Sequence, residues 1–319
     1  MTGAGGPRAG EAGGPARGAA PHGAGGGRPP GRRPKAADFL ALTKPGITRM
    51  VLLTSGVGFF LGSGDLVDAS RLLHALIGIA LIASGSNGLN QLVERDRDAL
   101  MHRTRDRPLP AGRLTPRQAA LFAGIASLLG IAYLGVFVNA LTAAVVAATL
   151  LSYLLVYTPL KRRTSFNTLV GAVPGALPIV AGWTASGGPL DARALTLFAV
   201  LYFWQIPHFL ALAYLYRDDY LRGGFVMLGR DDPEGHSTGR QAALYALAFV
   251  PVALLPSLAG TTGSFYFFGA LIAGAAFLAI ALPMAFAPTA AAARRVFFGS
   301  VTHLPVLLVL MVTDRTFWS

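Results

Sequence analysis

A chain of 319 residues with a net charge of +12 combines 53% apolar residues with only 13% charged ones, about half the charged share of soluble domains. It has no cysteine, which excludes disulfides, thiolate metal sites and cysteine nucleophiles. In so apolar a chain the basic excess argues for the one-sided Lys/Arg bias of membrane proteins, not for nucleic-acid binding.

Residues 1–37 are rich in Gly, Ala, Pro and Arg and lack apolar periodicity. They are expected to be a disordered N-terminal tail, and they have no apolar stretch of the signal-peptide kind. Residues 38–319 are expected to form one membrane domain. Long apolar segments follow at 46–64, 71–93, 117–137, 140–159, 166–185, 194–215, 240–259, 266–287 and 297–313. Nearly all have the 17 or so residues that cross a ~30 Å hydrocarbon core. The expected fold is an all-α polytopic membrane protein, a bundle of about nine transmembrane helices around a central cavity. With the N-terminus on the cytoplasmic side, every Lys and Arg except Arg71, Arg193 and Arg315 falls on cytoplasmic segments, as the positive-inside rule requires.

The second segment ends in Ser-Asn-Gly-Leu-Asn-Gln-Leu-Val-Glu-Arg-Asp-Arg-Asp. Asn90, Glu94 and Asp98 lie at i, i+4 and i+8 and so share one helix face, whereas Asp96 joins them only if the helix unwinds. Carboxylates gathered at a bilayer boundary repel unless a cation sits between them. Mg²⁺ suits the position, because it takes oxygen ligands from one or two carboxylates and from substrate phosphates. Arg103, Arg105 and Arg107 follow directly, and cations beside such a cluster fit a phosphate-bearing ligand. A helix end solvated and neutralised by Arg95 and Arg97 is the plain alternative.

The string Asn-x-x-x-Glu-x-Asp-x-Asp-x-x-Met-x-Arg-Thr-x-x-Arg-Pro-Leu-Pro resembles the first aspartate-rich motif of the UbiA superfamily of intramembrane prenyltransferases, and more narrowly the protoheme IX farnesyltransferases (haem O synthases). That family usually has Asp at the position of Glu94. Tyr157-Thr158-Pro159-Leu160-Lys161-Arg162-Arg163-Thr164 is similar to the same family. Tyr157 and Lys161 share a face if the helix continues past Pro159. In the sixth segment Trp204-Gln205-Ile206-Pro207-His208-Phe209 and Ala211-Leu212-Ala213 carry the narrower resemblance. By residue chemistry alone, His208 reads as a hydrogen-bonded interior residue. Tyr216-Arg217-Asp218-Asp219-Tyr220 resembles the second acidic motif of the family, and Gly224-Phe225-Val226-Met227-Leu228-Gly229 resembles its Gly-x-Pro-Met-Leu segment without the proline.

The resemblance implies transfer of a farnesyl group from farnesyl diphosphate to a vinyl group of haem b, giving haem O and diphosphate, with Mg as cofactor. Asn90, Glu94, Asp98, Asp218 and Asp219 would hold the metal. Arg103, Arg107, Tyr157, Lys161 and Arg162 would bind the diphosphate, and Lys161 would act with the α-helical acids in catalysis. Trp204, Gln205 and His208 would face the haem. The implied setting is a bacterial inner membrane, with haem A synthase or oxidase assembly factors as further partners. A UbiA-type enzyme with a quinone-ring or chlorophyll-type acceptor is the first alternative. A transporter, which calls for acids near the bilayer midplane, and a structural subunit are the others.

Overall fold

The computed structural model describes residues 35–64, 66–230 and 232–317. Most of the tail expected to be disordered, residues 1–34, lies outside the described residues, while Ala36 and Ala37 already belong to the first helix. Among the described residues there is no β-strand.

A short α1 (Ala36–Leu42) precedes α2 (Pro45–Gly62), α3 (Ala69–Asp98) and α4 (Pro116–Phe137). Next, α5 (Ala140–Leu151) runs through a π-helical stretch at Ser152–Tyr157 into the single turn of α6 (Thr158–Leu160). There follow α7 (Asn167–Ala185), α8 (Ala192–Leu215), a short α9 (Arg217–Arg222), α10 (His236–Leu258), α11 (Ser264–Phe286) and α12 (Ala290–Phe317). With α5 and α6 taken as one span, nine helices among the described residues are long and apolar enough to cross a membrane, and each overlies one expected segment. The protein is an integral, multi-pass membrane protein.

Local chemistry sets the helix starts. Asp68 accepts from Arg71 N, Asn139 from Thr142 N, and Asp191 from Arg193 N and Ala194 N, each satisfying amides that a helix leaves unpaired. At α4, Thr115 and Gln118 bond each other's backbone amides just ahead of Pro116, the reciprocal capping arrangement. Close approach sets the packing of α2 on α7. A Cβ added at Gly58 would fall inside the Ile179 carbonyl, and one at Gly182 inside that of Ser55. Without an apolar driving force between helices in lipid, such small-residue contact is what holds them. Ser55 Oγ also donates to Pro178 O across this interface at 2.8 Å, using a carbonyl inside the proline-containing α7.

Two features position the site. First, α3 continues five residues past its expected end, so the whole acidic motif is helical. Second, the π-helical stretch re-phases the end of the α5 span, placing Tyr157 and Thr158 against α7 and α3. The Tyr157 ring packs on the bare backbone of Gly171, where a Cβ would collide with it. Widened helical turns of this kind recur at functional sites.

Candidate active site

Asn90, Glu94 and Asp98 project from one face of α3 and are buried, at 1%, 5% and 1% exposure. Asp96 lies off that face in solvent, paired with Arg95. Three basic side chains from three separate segments meet the buried face. Lys44 Nζ donates to Asn90 Oδ1 at 3.2 Å. Lys161 Nζ donates to Glu94 Oε1 at 2.8 Å. Arg107 Nη1 donates to Asp98 Oδ2 at 2.8 Å. Each of the three side chains thus meets its own basic group, one helical turn apart.

The backbone is shaped to deliver these cations. Lys44, between α1 and α2, has φ 47° and ψ 68°, the one non-glycine left-handed residue among the described residues. Such a conformation costs on the order of 1–3 kcal/mol and persists where the surroundings enforce it. Here it lets the side chain fold back over Asn90 just before Pro45 begins α2. Thr158 Oγ1 donates to Tyr153 O at 2.8 Å and therefore accepts from Asn90 Nδ2 at 3.3 Å. That fixes the Asn90 amide with its oxygen toward Lys44. Burial, with Arg107 and Lys161 nearby, pushes the Lys44 ammonium down to about 7. Burial also opposes the charge of Lys161, but Tyr157 and Glu94 outweigh it and hold that ammonium above the ordinary lysine range. Lys161 Nζ sits 4.6 Å from the Tyr157 ring centre and 5.7 Å from that of Phe225, within cation–π range.

Phe225 belongs to a strap that follows α9. Val226 N donates to Lys161 O, Asn167 Nδ2 to Val226 O at 2.7 Å, and Arg97 Nη1 to Gly223 O at 2.6 Å. Gly224 takes φ +66°, which spares the strap the strain a side chain would bring. Below the strap, Asp219 accepts from His102 N at 3.0 Å and Arg103 N at 3.2 Å and pairs with Arg222. Burial raises its carboxyl, but Arg222 and the two amides outweigh this and hold it below the usual carboxylate range.

On the side of α8, His208 and Trp204 both engage α12. Ser300 Oγ lies 2.6 Å from Phe297 O and 2.8 Å from His208 Nδ1, and Trp204 Nε1 donates to Ser300 O at 2.9 Å. A carbonyl oxygen has no hydrogen, so the Ser300 hydroxyl donates to Phe297. Toward His208 it can only accept. Neutral His208 is therefore protonated on Nδ1 and carries its lone pair on Nε2.

The UbiA prenyltransferase family model matches residues 51–302. The protoheme IX farnesyltransferase of Solibacter usitatus (strain Ellin6076) is 45% identical over 287 residues, covering 87% of this chain and 98% of the relative. That of Koribacter versatilis (strain Ellin345) is 39% identical, covering 90% and 96%. The chain belongs to the UbiA prenyltransferase family, among its protoheme IX farnesyltransferases. The fold agrees. A digeranylgeranylglyceryl phosphate synthase structure superposes with a TM-score of 0.73 at 16% identity, covering 87% of this chain and 97% of its own. A UbiA homolog from Archaeoglobus fulgidus bound to GPP and Mg²⁺ gives 0.62 at 15%, covering 86% and 99%.

Set against the expected site of a UbiA enzyme, the structure brings together Asn90, Glu94, Asp98, Arg107, Tyr157 and Lys161. Others stand apart. Arg103 lies over the Tyr216 ring at 5.2 Å, and Arg162 is exposed. Asp218 is exposed beside Arg217. Gln205 is buried against the bare backbone of Gly175 and donates to Ala172 O at 2.7 Å, tying α8 to α7. Lys44, Thr158, Phe225 and Ser300 are not among the site residues expected from sequence, although Thr158 and Phe225 lie inside the quoted motif strings and a lysine before a helix-starting proline marks Lys44.

The α3 face fits Mg²⁺. Glu94 Oε2 and Asp98 Oδ1 make no hydrogen bond among the described residues, and with the Asn90 amide oxygen they are hard donors at helical spacing. Among the described residues no three acidic or histidine side chains converge on a metal position, so substrate oxygens and water would complete such a sphere. In this structure Asp219 accepts from two amides and pairs with Arg222, and Asp218 faces solvent beside Arg217.

Proposed function

We propose that this protein transfers the farnesyl group of farnesyl diphosphate to a vinyl carbon of haem b, making haem O and releasing diphosphate. The observation that carries the reading is the register of Lys44, Lys161 and Arg107 on Asn90, Glu94 and Asp98. Three basic side chains meet an amide and two carboxylates on one buried helix face, an array that an apolar scaffold helix has no use for. Family membership supplies the chemistry such an array serves.

Bound Mg²⁺, held by Asn90, Glu94 and Asp98, would supply Lewis-acid stabilisation of the departing diphosphate. The rest belongs to the chain's own residues. Lys44, Lys161 and Arg107 turn from the acids to the phosphate oxygens and neutralise charge as it develops on the leaving group. Phe225 and its strap cover Lys161 and keep water from the C1–O bond as it breaks. The haem vinyl group attacks C1 as the C1–O bond to diphosphate breaks, and water adds to the carbocation left beside the pyrrole and loses a proton to solvent, giving a hydroxyethylfarnesyl substituent. No protein nucleophile is required.

His208 is proposed to meet the haem iron. With Nδ1–H engaged by Ser300, neutral His208 has no hydrogen left for a propionate, whereas the Nε2 lone pair suits a metal. The Lys/Arg bias supports an acidic face on the cytoplasmic side, and the bacterial relatives support a bacterial inner membrane as the setting. Incubating purified protein with haem b, farnesyl diphosphate and Mg²⁺ and weighing the haem product tests the reading. Farnesylation of a quinone-ring acceptor in place of haem would replace it with the alternative acceptor class.

A further inference from the structure

On the side of the bundle formed by α11 and α12, a groove of about 740 Å³ opens outward. Its walls are mostly apolar, with Ala276, Ile280, Pro283, Phe298 and Gly299 along them, and Thr302 and His303 are the polar side chains that line it beside the two arginines. On α12 it runs from Arg294 and Arg295 at one end to Val306 at the other. Twelve helical residues span about 18 Å, close to the roughly 15 Å depth of one leaflet. The two arginines are adjacent and exposed in the second turn of α12, and they stand on the same membrane face as Asp98. Neither has a hydrogen-bond or ion-pair partner among the described residues, unlike Arg107, Arg113, Arg193 and Arg222.

We infer that this groove is a binding site for one anionic phospholipid. Its phosphodiester seats on Arg294 and Arg295, and one acyl chain lies along Ala276, Gly299 and Phe298. Guanidinium groups pair with phosphate oxygens in bidentate fashion, and unpaired arginines at a membrane surface attract anionic headgroups. The positive charge lies at one end only, and the apolar length matches a single leaflet. Both suit a lipid better than a second copy of this chain, whose helices would run the full thickness of the membrane. The inference is independent of which acceptor the enzyme farnesylates.

The test is native mass spectrometry of the full-length protein in neutral detergent, with phosphatidylglycerol and phosphatidylcholine of identical chains in competition. One phosphatidylglycerol should be retained, with a preference of about thirtyfold for two surface arginines. Arg294→Gln/Arg295→Gln should bring that preference to near unity while leaving the melting temperature unchanged, since both side chains are exposed. Ala276→Phe, which fills the groove and leaves the arginines, should abolish retention as well. Equal retention of the two lipids by the wild type would overturn the proposal. So would full retention by the arginine variant, or by Ala276→Phe, which would place the lipid elsewhere.

Discussion

Lys161 Nζ lies 2.8 Å from Glu94 Oε1, with both side chains almost wholly buried. The pair joins the end of the α5 span to the end of α3, and its lysine also rests on Tyr157 and Phe225. Removing one partner of such a pair strands a buried charge, at about 3–5 kcal/mol, whereas replacing both with neutral groups costs far less. Lys161→Met should therefore lower the thermal stability of the purified protein markedly, and Glu94→Gln/Lys161→Met should recover most of it. Activity should stay at least about 100-fold down in both, because the oxygen and the cation serve the reaction. Recovery of turnover along with stability would make the pair purely structural.

Asp98→Asn keeps the size of the side chain and removes the charge that Arg107 and a divalent cation share. The expected result is a fall of about 100-fold or more in kcat/KM, roughly the scale of losing one electrostatic contact to the transition state. Partial rescue by raised Mg²⁺ concentration is expected, and a steady-state metal titration reads it. Full activity at ordinary Mg²⁺ would remove the metal role from this face of α3.

The membrane architecture was legible in the sequence because spanning requires long apolar runs, and these mark their own positions and number. The α3 face was legible for a similar reason. Spacing of i, i+4 and i+8 fixes a shared face wherever the helix continues, and it continues to Asp98. What the sequence could not give was the partner of each acid. Lys44, Arg107 and Lys161 lie 46, 9 and 67 residues from their partners, and only tertiary packing brings them there. The contacts of Asp219 were hidden for the same reason, since its oxygens meet the amides of His102 and Arg103 from a distant segment. Thr158 and Ser300 are ordinary membrane-helix residues by sequence, and their function lies in which way their single hydrogen points.

Those contacts separate the two neighbouring acids of α9. Asp218→Ala should stay within about twofold of the wild type, as expected for an exposed residue. Asp219→Ala should release the His102–Arg103 turn by removing two hydrogen bonds to a charged acceptor, each worth about 1.5–3 kcal/mol at most. Its activity should fall, with faster proteolysis between Met101 and Arg107. Loss of Mg²⁺ affinity on Asp218→Ala would instead restore a second metal site there.

Ser300 should act on the haem through His208. With ferrous haem b bound, the wild type is expected to show an iron–histidine stretch in resonance Raman. His208→Ala should lose it and regain an iron–imidazole band on adding imidazole. Ser300→Ala should keep the ligand but shift its frequency, because the Nδ1 hydrogen bond sets the basicity of Nε2. An unshifted band would mean that Ser300 only packs α12 on α8.

The most direct measurement of the central claim uses purified protein with haem b, farnesyl diphosphate and Mg²⁺ in ¹⁸O-labelled water. Mass spectrometry of the haem product should show one farnesyl group and one ¹⁸O atom per molecule, with diphosphate released in equal amount and the same product formed about 100-fold or more slowly by Asp98→Asn. Unmodified haem under conditions where a quinone-ring acceptor is farnesylated would contradict the account.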